Sequence, residues 1–207
     1  MPESRSTTLP VVAVVDDDDA ARLSLVQLLE VAGYDARSYA SGAGFLEAPD
    51  AGEAWCVVTD LQMPGGSGLD LQKGLAARGV AVPMVFVTGF GTVAASVRAM
   101  RDGAVDFLEK PADPAALLDA VERAVAARAS LAARAEVMAA VQRRAALLTA
   151  REREVFAGVA RGLPNKQIAA QLGIALKTVK VHRGRVMQKM AADSVADLVR
   201  FAEALGL

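Results

Sequence analysis

The chain has 207 residues, 53% of them hydrophobic, and a formal net charge of −1, which is enough for one large or two modest domains with apolar cores. Charged residues interrupt every apolar stretch before it could span a bilayer, and the N-terminus lacks the basic start and apolar centre of a signal peptide. A single cysteine, Cys56, excludes an intramolecular disulfide. We therefore expect a soluble cytoplasmic protein without a membrane partner, with disorder confined to residues 1–10.

Charge is divided unevenly between the two halves of the chain. Residues 1–125 contain 9 Lys/Arg and 18 Asp/Glu, whereas residues 126–207 contain 14 and 6. An acidic half joined to a basic half indicates two domains with different partners. A compact basic domain favours a polyanion such as DNA as one of those partners.

The acidic half alternates apolar runs typical of strands with patterns of helical period. Strands are predicted at 11–15, 35–40, 55–60, 82–88 and 104–109. Helices are predicted at 18–32, 41–47, 69–77 and 93–101, and a further helix begins near Asp113. Five strand–helix repeats predict a parallel sheet with helices on both faces, whose ligands lie beyond the carboxyl ends of the strands.

Five polar residues follow apolar strands directly and should lie at that edge of the sheet: Asp16, Asp17, Asp60, Thr88 and Lys110. Clustered carboxylates repel one another unless a hard divalent cation such as Mg²⁺ neutralises them. One carboxylate can then attack a phosphoryl donor, and the hydroxyl and the ammonium can receive the new phosphoryl group. The alternative is a solvated acidic rim, and we interpret the neighbouring Asp18 and Asp19 in that way, as helix caps.

The basic half begins with a segment of high helix propensity. Residues 114–148 are rich in alanine and arginine and contain no glycine or proline after Pro114, which favours a long helix over a flexible linker. Beyond this segment, Thr149 and Glu152 have the spacing of a capping box, so a new helix is predicted to start there.

The remaining residues carry only helical patterns. Asn165 is predicted to cap a short helix that ends at Gly173, and another helix runs from about 176 to 190. A last helix contains Leu198 and Phe201. Two helices joined by a short turn that contains glycine have the helix-turn-helix pattern.

The first half resembles the receiver domain of two-component response regulators. The resemblance covers residues 11 to about 125 and is carried by VVDDDD, VVTDLQMPGGSGLD, VFVTGFG and AVDFLEKP, in this order and spacing. Each motif alone is weak, whereas the combination is specific. It implies an α/β flavodoxin-like fold with a five-stranded parallel sheet of strand order 2-1-3-4-5.

The resemblance implies roles for the acidic residues of the sheet edge. Asp60 becomes the phosphoacceptor. Asp16 and Asp17 hold Mg²⁺ or Mn²⁺ together with Asp60 and the backbone carbonyl of Gln62. The MPGGSG loop then closes over the site, with glycines that permit unusual backbone angles.

The resemblance also implies how the phosphoryl group is sensed. Lys110 pairs with it, and the bond from Lys110 to Pro111 is expected to be cis. Thr88 and Phe107 form a switch pair, in which the hydroxyl moves toward the phosphoryl group and the ring turns inward. For Phe107, plain core packing remains an equal alternative. Phe90 stands where related receivers often carry histidine, which can alter the loop beside the phosphate.

The second half, about 147–207, resembles the LuxR-type helix-turn-helix domain on LTAREREV, GLPNKQIA and TVKVHR. Its recognition helix, which also carries Arg185, fits the major groove, and its basic side chains make DNA affinity dependent on salt. The residues expected to face DNA are Lys166, Lys177, Thr178, Lys180, Val181, His182, Arg183 and Lys189. A solvated charged face is the alternative. Lys180 replaces an acidic residue common in the family, which leaves the preferred DNA sequence open.

The order of receiver (11–125), helical linker (126–147) and small all-α DNA-binding domain (148–207) is that of the FixJ/NarL family. It implies a transcriptional regulator that accepts phosphate from a sensor histidine kinase and binds double-stranded DNA. Phosphorylation is expected to pair two copies through the fourth helix, fifth strand and fifth helix, with RNA polymerase as a further partner. A phosphate sink or anti-regulator acting through proteins is the alternative. An enzyme acting on external phosphate esters is disfavoured, because position 62 is Gln where phosphatases of the haloacid-dehalogenase type carry a second acid.

Overall fold

The computed structural model of the protein describes residues 9–89 and 91–207. Within them the chain forms two compact units that divide between Leu131 and Ala132. Of the segment predicted to be disordered, residues 1–8 lie outside the described residues, whereas the Pro10 carbonyl accepts a hydrogen bond from the backbone N–H of Asp35 at 3.1 Å. None of the described helices combines the length with the apolar composition that crossing a bilayer would need.

A five-stranded parallel sheet forms the centre of the first unit. Its strands are β1 (Val11–Val15), β2 (Asp35–Tyr39), β3 (Cys56–Thr59), β4 (Met84–Thr88) and β5 (Asp106–Glu109). They lie in the order β2-β1-β3-β4-β5, which confirms the expected 2-1-3-4-5 arrangement. Because the strand order reverses at β1, the carboxyl ends of β1 and β3 flank the crevice where such folds bind ligands.

Helices cover both faces of this sheet. One face carries α1 (Asp19–Val31) and the first turns of α5 (Pro114–Ala146). The other carries α2 (Gly42–Glu47), α3 (Gly68–Ala77) and α4 (Val93–Arg101). Successive strand residues point to opposite faces, so every residue of β3 and β4 is buried. Cys56 is one of them and, as expected, is a small buried side chain.

Side-chain caps fix where the helices of the first unit begin. The Asp18 carboxylate accepts hydrogen bonds from the backbone N–H groups of Ala21 and Ala20, which confirms Asp18 as a cap and holds the pKa of that carboxyl below its ordinary value. Ser67 and Asp70 form a capping box at the start of α3. The starts of α1 and α3 are therefore fixed next to the strand ends that carry the acidic residues.

The described residues of the second unit form helices joined by short turns. After α5 it contains α6 (Ala150–Ala160), α7 (Asn165–Leu172), α8 (Leu176–Met190) and α9 (Val195–Ala204). The capping box of Thr149 and Glu152 is present as expected. The core of the second unit is formed by the inward sides of these helices, including Val155, Phe156, Ile168, Val179, Val186, Met190 and Leu198.

Two predicted helix caps, Asp19 and Asn165, are wrong. Asp19 is the first residue of α1, and Asp18 alone caps that helix. Asn165 is the first residue of α7, and Pro164 occupies the cap position. The Asn165 side chain is used elsewhere, because its Oδ1 accepts a hydrogen bond from Nη1 of Arg183 at 2.9 Å. Gly173 ends α7 as expected, with a φ of +64° that side-chain-bearing residues rarely adopt.

Candidate functional site

The acidic residues predicted at the sheet edge lie together. Asp16 and Asp60 directly follow β1 and β3, which are neighbours in the sheet, and Asp17 is next to Asp16. One carboxylate oxygen from each of the three lies within 4.8 Å of the others. Asp16 is only 1% exposed, whereas Asp17 is exposed. Carboxylates at this separation repel one another, and their oxygens are ligands that hard divalent cations prefer, so the donor set fits such a cation.

Lys110 follows β5 and bonds to two of these carboxylates. Its Nζ donates to Oδ2 of Asp16 at 2.6 Å and to Oδ2 of Asp60 at 2.8 Å. Burial lowers the pKa of the Lys110 ammonium, but the hydrogen bonds to Asp16 and Asp60 outweigh burial and raise that pKa overall. The lysine is thus a fixed cation within the cluster, and its peptide bond to Pro111 is cis as expected.

The loop after Asp60 is held against the cluster. The backbone N–H of Gln62 donates to Oδ1 of Asp60 at 3.2 Å, and Gln62–Met63 pairs with Gly66–Ser67 in a short antiparallel hairpin. A Cβ built on Gly68 would collide with the backbone carbonyl of Asp60, so the close approach of this loop requires glycine there. The backbone of Gln62 is therefore beside Asp60, while metal ligation by its carbonyl stays a prediction.

The predicted switch residues lie on adjacent strands. Thr88 is the last residue of β4 and is 1% exposed, and Phe107 lies on β5. The ring of Phe107 stacks on that of Phe86, with centroids 5.9 Å apart and planes inclined by 21°. This contact supports core packing for Phe107, and switching remains a prediction. Phe90 lies outside the described residues, so its effect on the loop stays a prediction too.

In the second unit, one side of α8 packs into the core and the other side is exposed. Val179, Val186 and Met190 point into the core. The exposed residues are Leu176, Lys177, Thr178, Lys180, Val181, Gly184, Arg185 and Gln188. This set includes four of the residues predicted to face DNA, and Lys166 of α7 is exposed as well. The exposed set also contains Arg185, which was not among the residues predicted to face DNA. The helical period could have predicted it, because Arg185 lies four residues after Val181 and so on the same face.

Three residues predicted to face DNA are placed differently. Arg183 and His182 are half-buried. Arg183 donates to Asn165 across the turn, and Nδ1 of His182 is buried without a hydrogen-bond partner among the described residues. Nζ of Lys189 donates to Oε2 of Glu152 at 2.7 Å and to the Leu147 carbonyl at 3.0 Å. The ammonium of Lys189 is therefore used within its own domain, which supports a structural role, and its DNA contact stays a prediction.

The Glu152–Lys189 ion pair makes the stability of the second unit sensitive to acid. Glu152 is 2% exposed, and hydrogen bonds from Lys189 and from the Thr149 backbone lower its pKa from 4.5 to about 2. Because the folded pKa is depressed, the stabilisation is complete above the unfolded value of 4.5 and is lost as the pH falls through about 2.

We expect Glu152→Gln to lower the free energy of unfolding by about 3 kcal/mol at neutral pH, because it leaves Lys189 without its charged partner. The difference from the unsubstituted protein should shrink steadily below about pH 4.5, because Glu152 takes up a proton in the unfolded chain there and in the folded protein only near pH 2. Amide hydrogen exchange of α6 and α8 in the full chain measures this. Glu154→Gln is the matched control, since Glu154 is exposed and, among the described residues, pairs with Arg151 alone. Equal losses in the two variants would contradict the role of the buried pair.

Comparison with known proteins accounts for both units. Residues 12–122 match the response regulator receiver domain, and residues 146–202 match the bacterial regulatory proteins of the luxR family. The whole chain is 45% identical to transcriptional regulatory protein FixJ of Azorhizobium caulinodans, of which it covers 96%. Over 99% of its length it is 42% identical to nodulation protein W of Bradyrhizobium diazoefficiens, with 90% of that protein covered.

Solved structures agree over nearly the whole chain. The response regulator StyR superposes with a TM-score of 0.82 and 41% identity, over 94% of this chain and 98% of StyR. Full-length FixJ from B. japonicum matches with a TM-score of 0.59 and 40% identity, over 97% of this chain and 98% of that FixJ chain. The chain therefore belongs to the FixJ-type response regulators of two-component systems, which regulate transcription and join a receiver to a LuxR-type DNA-binding domain.

Proposed function

We propose that Asp60 is the residue that accepts a phosphoryl group from the partner histidine kinase. The arrangement at the sheet edge supports this assignment: Asp60 lies beside two further carboxylates and within 2.8 Å of the Lys110 ammonium. The Asp60 side chain is 13% exposed, against 1% for Asp16, so a phosphoryl donor reaches Asp60 more readily. Thr88 and Lys110 then contact the phosphoryl oxygens.

We assign the oxygens of Asp16, Asp17 and Asp60, together with the Gln62 carbonyl, to a bound Mg²⁺ or Mn²⁺ ion. The ion supplies positive charge that offsets repulsion between the carboxylates and the phosphoryl oxygens. Lys110 already bridges Asp16 and Asp60, so it orients both carboxylates before phosphorylation. The protein turns over no external substrate in this proposal. In the cytoplasm it accepts a phosphoryl group on Asp60 and slowly loses that group to water.

Phosphorylation, in this proposal, moves Thr88 and Phe107 and pairs two copies through α4, β5 and α5. An exposed apolar stripe on α4 supports this surface. It consists of Val93, Val97 and Met100, which are 82%, 44% and 47% exposed. On β5, which contacts α4, Asp106 pairs with Arg123 of α5 at 2.6 Å. An apolar patch rimmed by charged residues is typical of surfaces that bind another protein.

Pairing carries the signal to DNA. We propose 11–125 as the receiver, 126–147 as the linker and 148–207 as the DNA-binding domain. Two joined copies present two basic α8 faces to a pair of half-sites, which raises affinity through effective concentration without new base contacts. RNA polymerase is the further partner of the DNA-bound pair.

Acetyl phosphate and Mg²⁺ are expected to add one phosphoryl group, which peptide mass spectrometry locates on Asp60. EDTA should prevent the reaction. Asp17→Asn should raise the Mg²⁺ concentration needed for half-maximal labelling by about tenfold, because Mg²⁺ relies on one or two carboxylates. Asp19→Asn is the control, since Asp19 is an exposed neighbour outside the cluster. Labelling of another residue, or labelling that survives EDTA, would contradict the assignment.

A further inference from the structure

Gly91 lies against both residues of the proposed switch pair. A Cβ built on Gly91 would lie 2.7 Å from Cε1 of Phe107, 3.2 Å from its Cζ and 3.3 Å from Cγ2 of Thr88. Carbon atoms pack at about 3.5–4.0 Å, so the first of these distances is a steric overlap. The atoms in the way belong to the end of the Phe107 ring. A side chain at position 91 would therefore displace that ring.

The ring has little freedom to yield inward. Phe107 stacks on Phe86 at 5.9 Å, and Phe86 is fully buried in the core beneath the sheet face. Protein cores are close-packed, so a displaced ring cannot enter the space that Phe86 fills. Displacement must instead carry the Phe107 ring outward, away from Phe86 and Thr88.

We propose that Gly91 is a positioning residue of the receiver: the lack of a side chain at position 91 is what lets the Phe107 ring occupy its place beside Thr88, and this controls the response to phosphorylation. The inference rests on the proposed function, in which an inward ring accompanies pairing of two copies. Substitution at Gly91 therefore weakens phosphorylation-dependent pairing without touching Asp60 or its cation ligands.

Gly89 provides a matched control two residues away. Among the described residues, a Cβ built on Gly89 would meet nothing within 4 Å. Gly89→Ala thus adds a methyl group to the same loop without the overlap that Gly91→Ala creates. A difference between the two variants that disappears when Phe107 is replaced by leucine reports the contact with Phe107.

Two measurements on the full chain test the inference. In protein labelled with 4-fluorophenylalanine, the Phe107 ¹⁹F resonance, assigned by its loss in Phe107→Leu, should shift in Gly91→Ala and stay in Gly89→Ala. With Mg²⁺ and beryllofluoride, the dimer dissociation constant should rise by about tenfold in Gly91→Ala, equivalent to about 1.4 kcal/mol, and stay within about twofold in Gly89→Ala.

The Phe107→Leu background separates this role from a general effect on the loop. Leucine lacks the ring atoms that overlap with a Cβ at position 91, so Gly91→Ala should have no further effect on pairing in that background. Because the overlap is relieved, the double variant with Gly91→Ala and Phe107→Leu should stay folded even if Gly91→Ala alone is unstable. An unchanged ¹⁹F resonance, unchanged pairing, equal effects at Gly89 and Gly91, or a full effect in the Phe107→Leu background would each overturn the inference.

The proposed function can fail independently of this inference. If the unsubstituted protein does not pair in beryllofluoride, the pairing proposal is wrong. In that case the ¹⁹F comparison alone decides whether Gly91 positions the Phe107 ring, and an unmoved resonance in Gly91→Ala overturns the contact.

Discussion

Asp60→Asn is expected to abolish the change from monomer to dimer that a phosphodonor induces. Asparagine keeps the shape of the side chain and can still accept the hydrogen bond from the Gln62 backbone, but its amide does not attack a phosphoryl group. It also removes the negative charge that faces Lys110 and the proposed cation. Light scattering with Mg²⁺ and acetyl phosphate should show the unsubstituted protein doubling in mass while the variant stays monomeric.

Glu30→Gln is a suitable control for the loss of one negative charge, because Glu30 is exposed at the end of α1 and outside the carboxylate cluster. It should pair like the unsubstituted protein. Normal pairing of Asp60→Asn in the presence of the phosphodonor would show that the signal does not pass through this carboxylate.

Lys177→Gln and Lys189→Gln are expected to have opposite effects, although each removes one positive charge from α8. Lys177 is exposed on the free face of the helix, so its loss should weaken binding to an operator duplex by about tenfold and reduce the salt dependence, without changing stability. Lys189 is the partner of the buried Glu152, so its loss should destabilise the domain by about 3 kcal/mol and leave the affinity of the folded protein nearly unchanged.

Fluorescence anisotropy at several salt concentrations, together with hydrogen exchange of α8, measures both quantities on the same samples. Below the temperature at which Lys189→Gln begins to unfold, its operator affinity should stay within about threefold of the unsubstituted protein. A large affinity loss in folded Lys189→Gln would support Lys189 as a DNA contact and contradict its structural assignment.

The fold and the acidic cluster were predictable because both depend on features that are local in sequence. Each apolar strand is followed at once by its polar residue, and the parallel alternation places all strand ends at one edge. The sequence alone therefore predicts that Asp16, Asp60 and Lys110 lie close together. The bridging of Asp16 and Asp60 by Lys110 could not be predicted, because it depends on a lysine 94 residues from Asp16 choosing two partners.

Which basic side chains of α8 are exposed was less predictable, for a related reason. Basic composition marks α8 as a whole, but only packing against α6 and α7 decides which of its basic side chains are free. Lys189 is bound to Glu152, 37 residues away, and Arg183 to Asn165, 18 residues away. Asparagine favours cap positions, but Pro164 occupies the cap of α7, so Asn165 becomes the first residue of the helix.

The position of Cys56 has a practical consequence for following this protein in action. Maleimides and similar reagents react with the thiolate, and burial within β3 raises the pKa of the Cys56 thiol. Because the sequence contains no other cysteine, the native chain should react little with thiol reagents. A cysteine introduced at an exposed position such as Glu30 or Gln188 would be labelled selectively. Distances between copies, and between regulatory and DNA-binding surfaces, can thus be recorded with spectroscopic labels while every residue of the switch remains native.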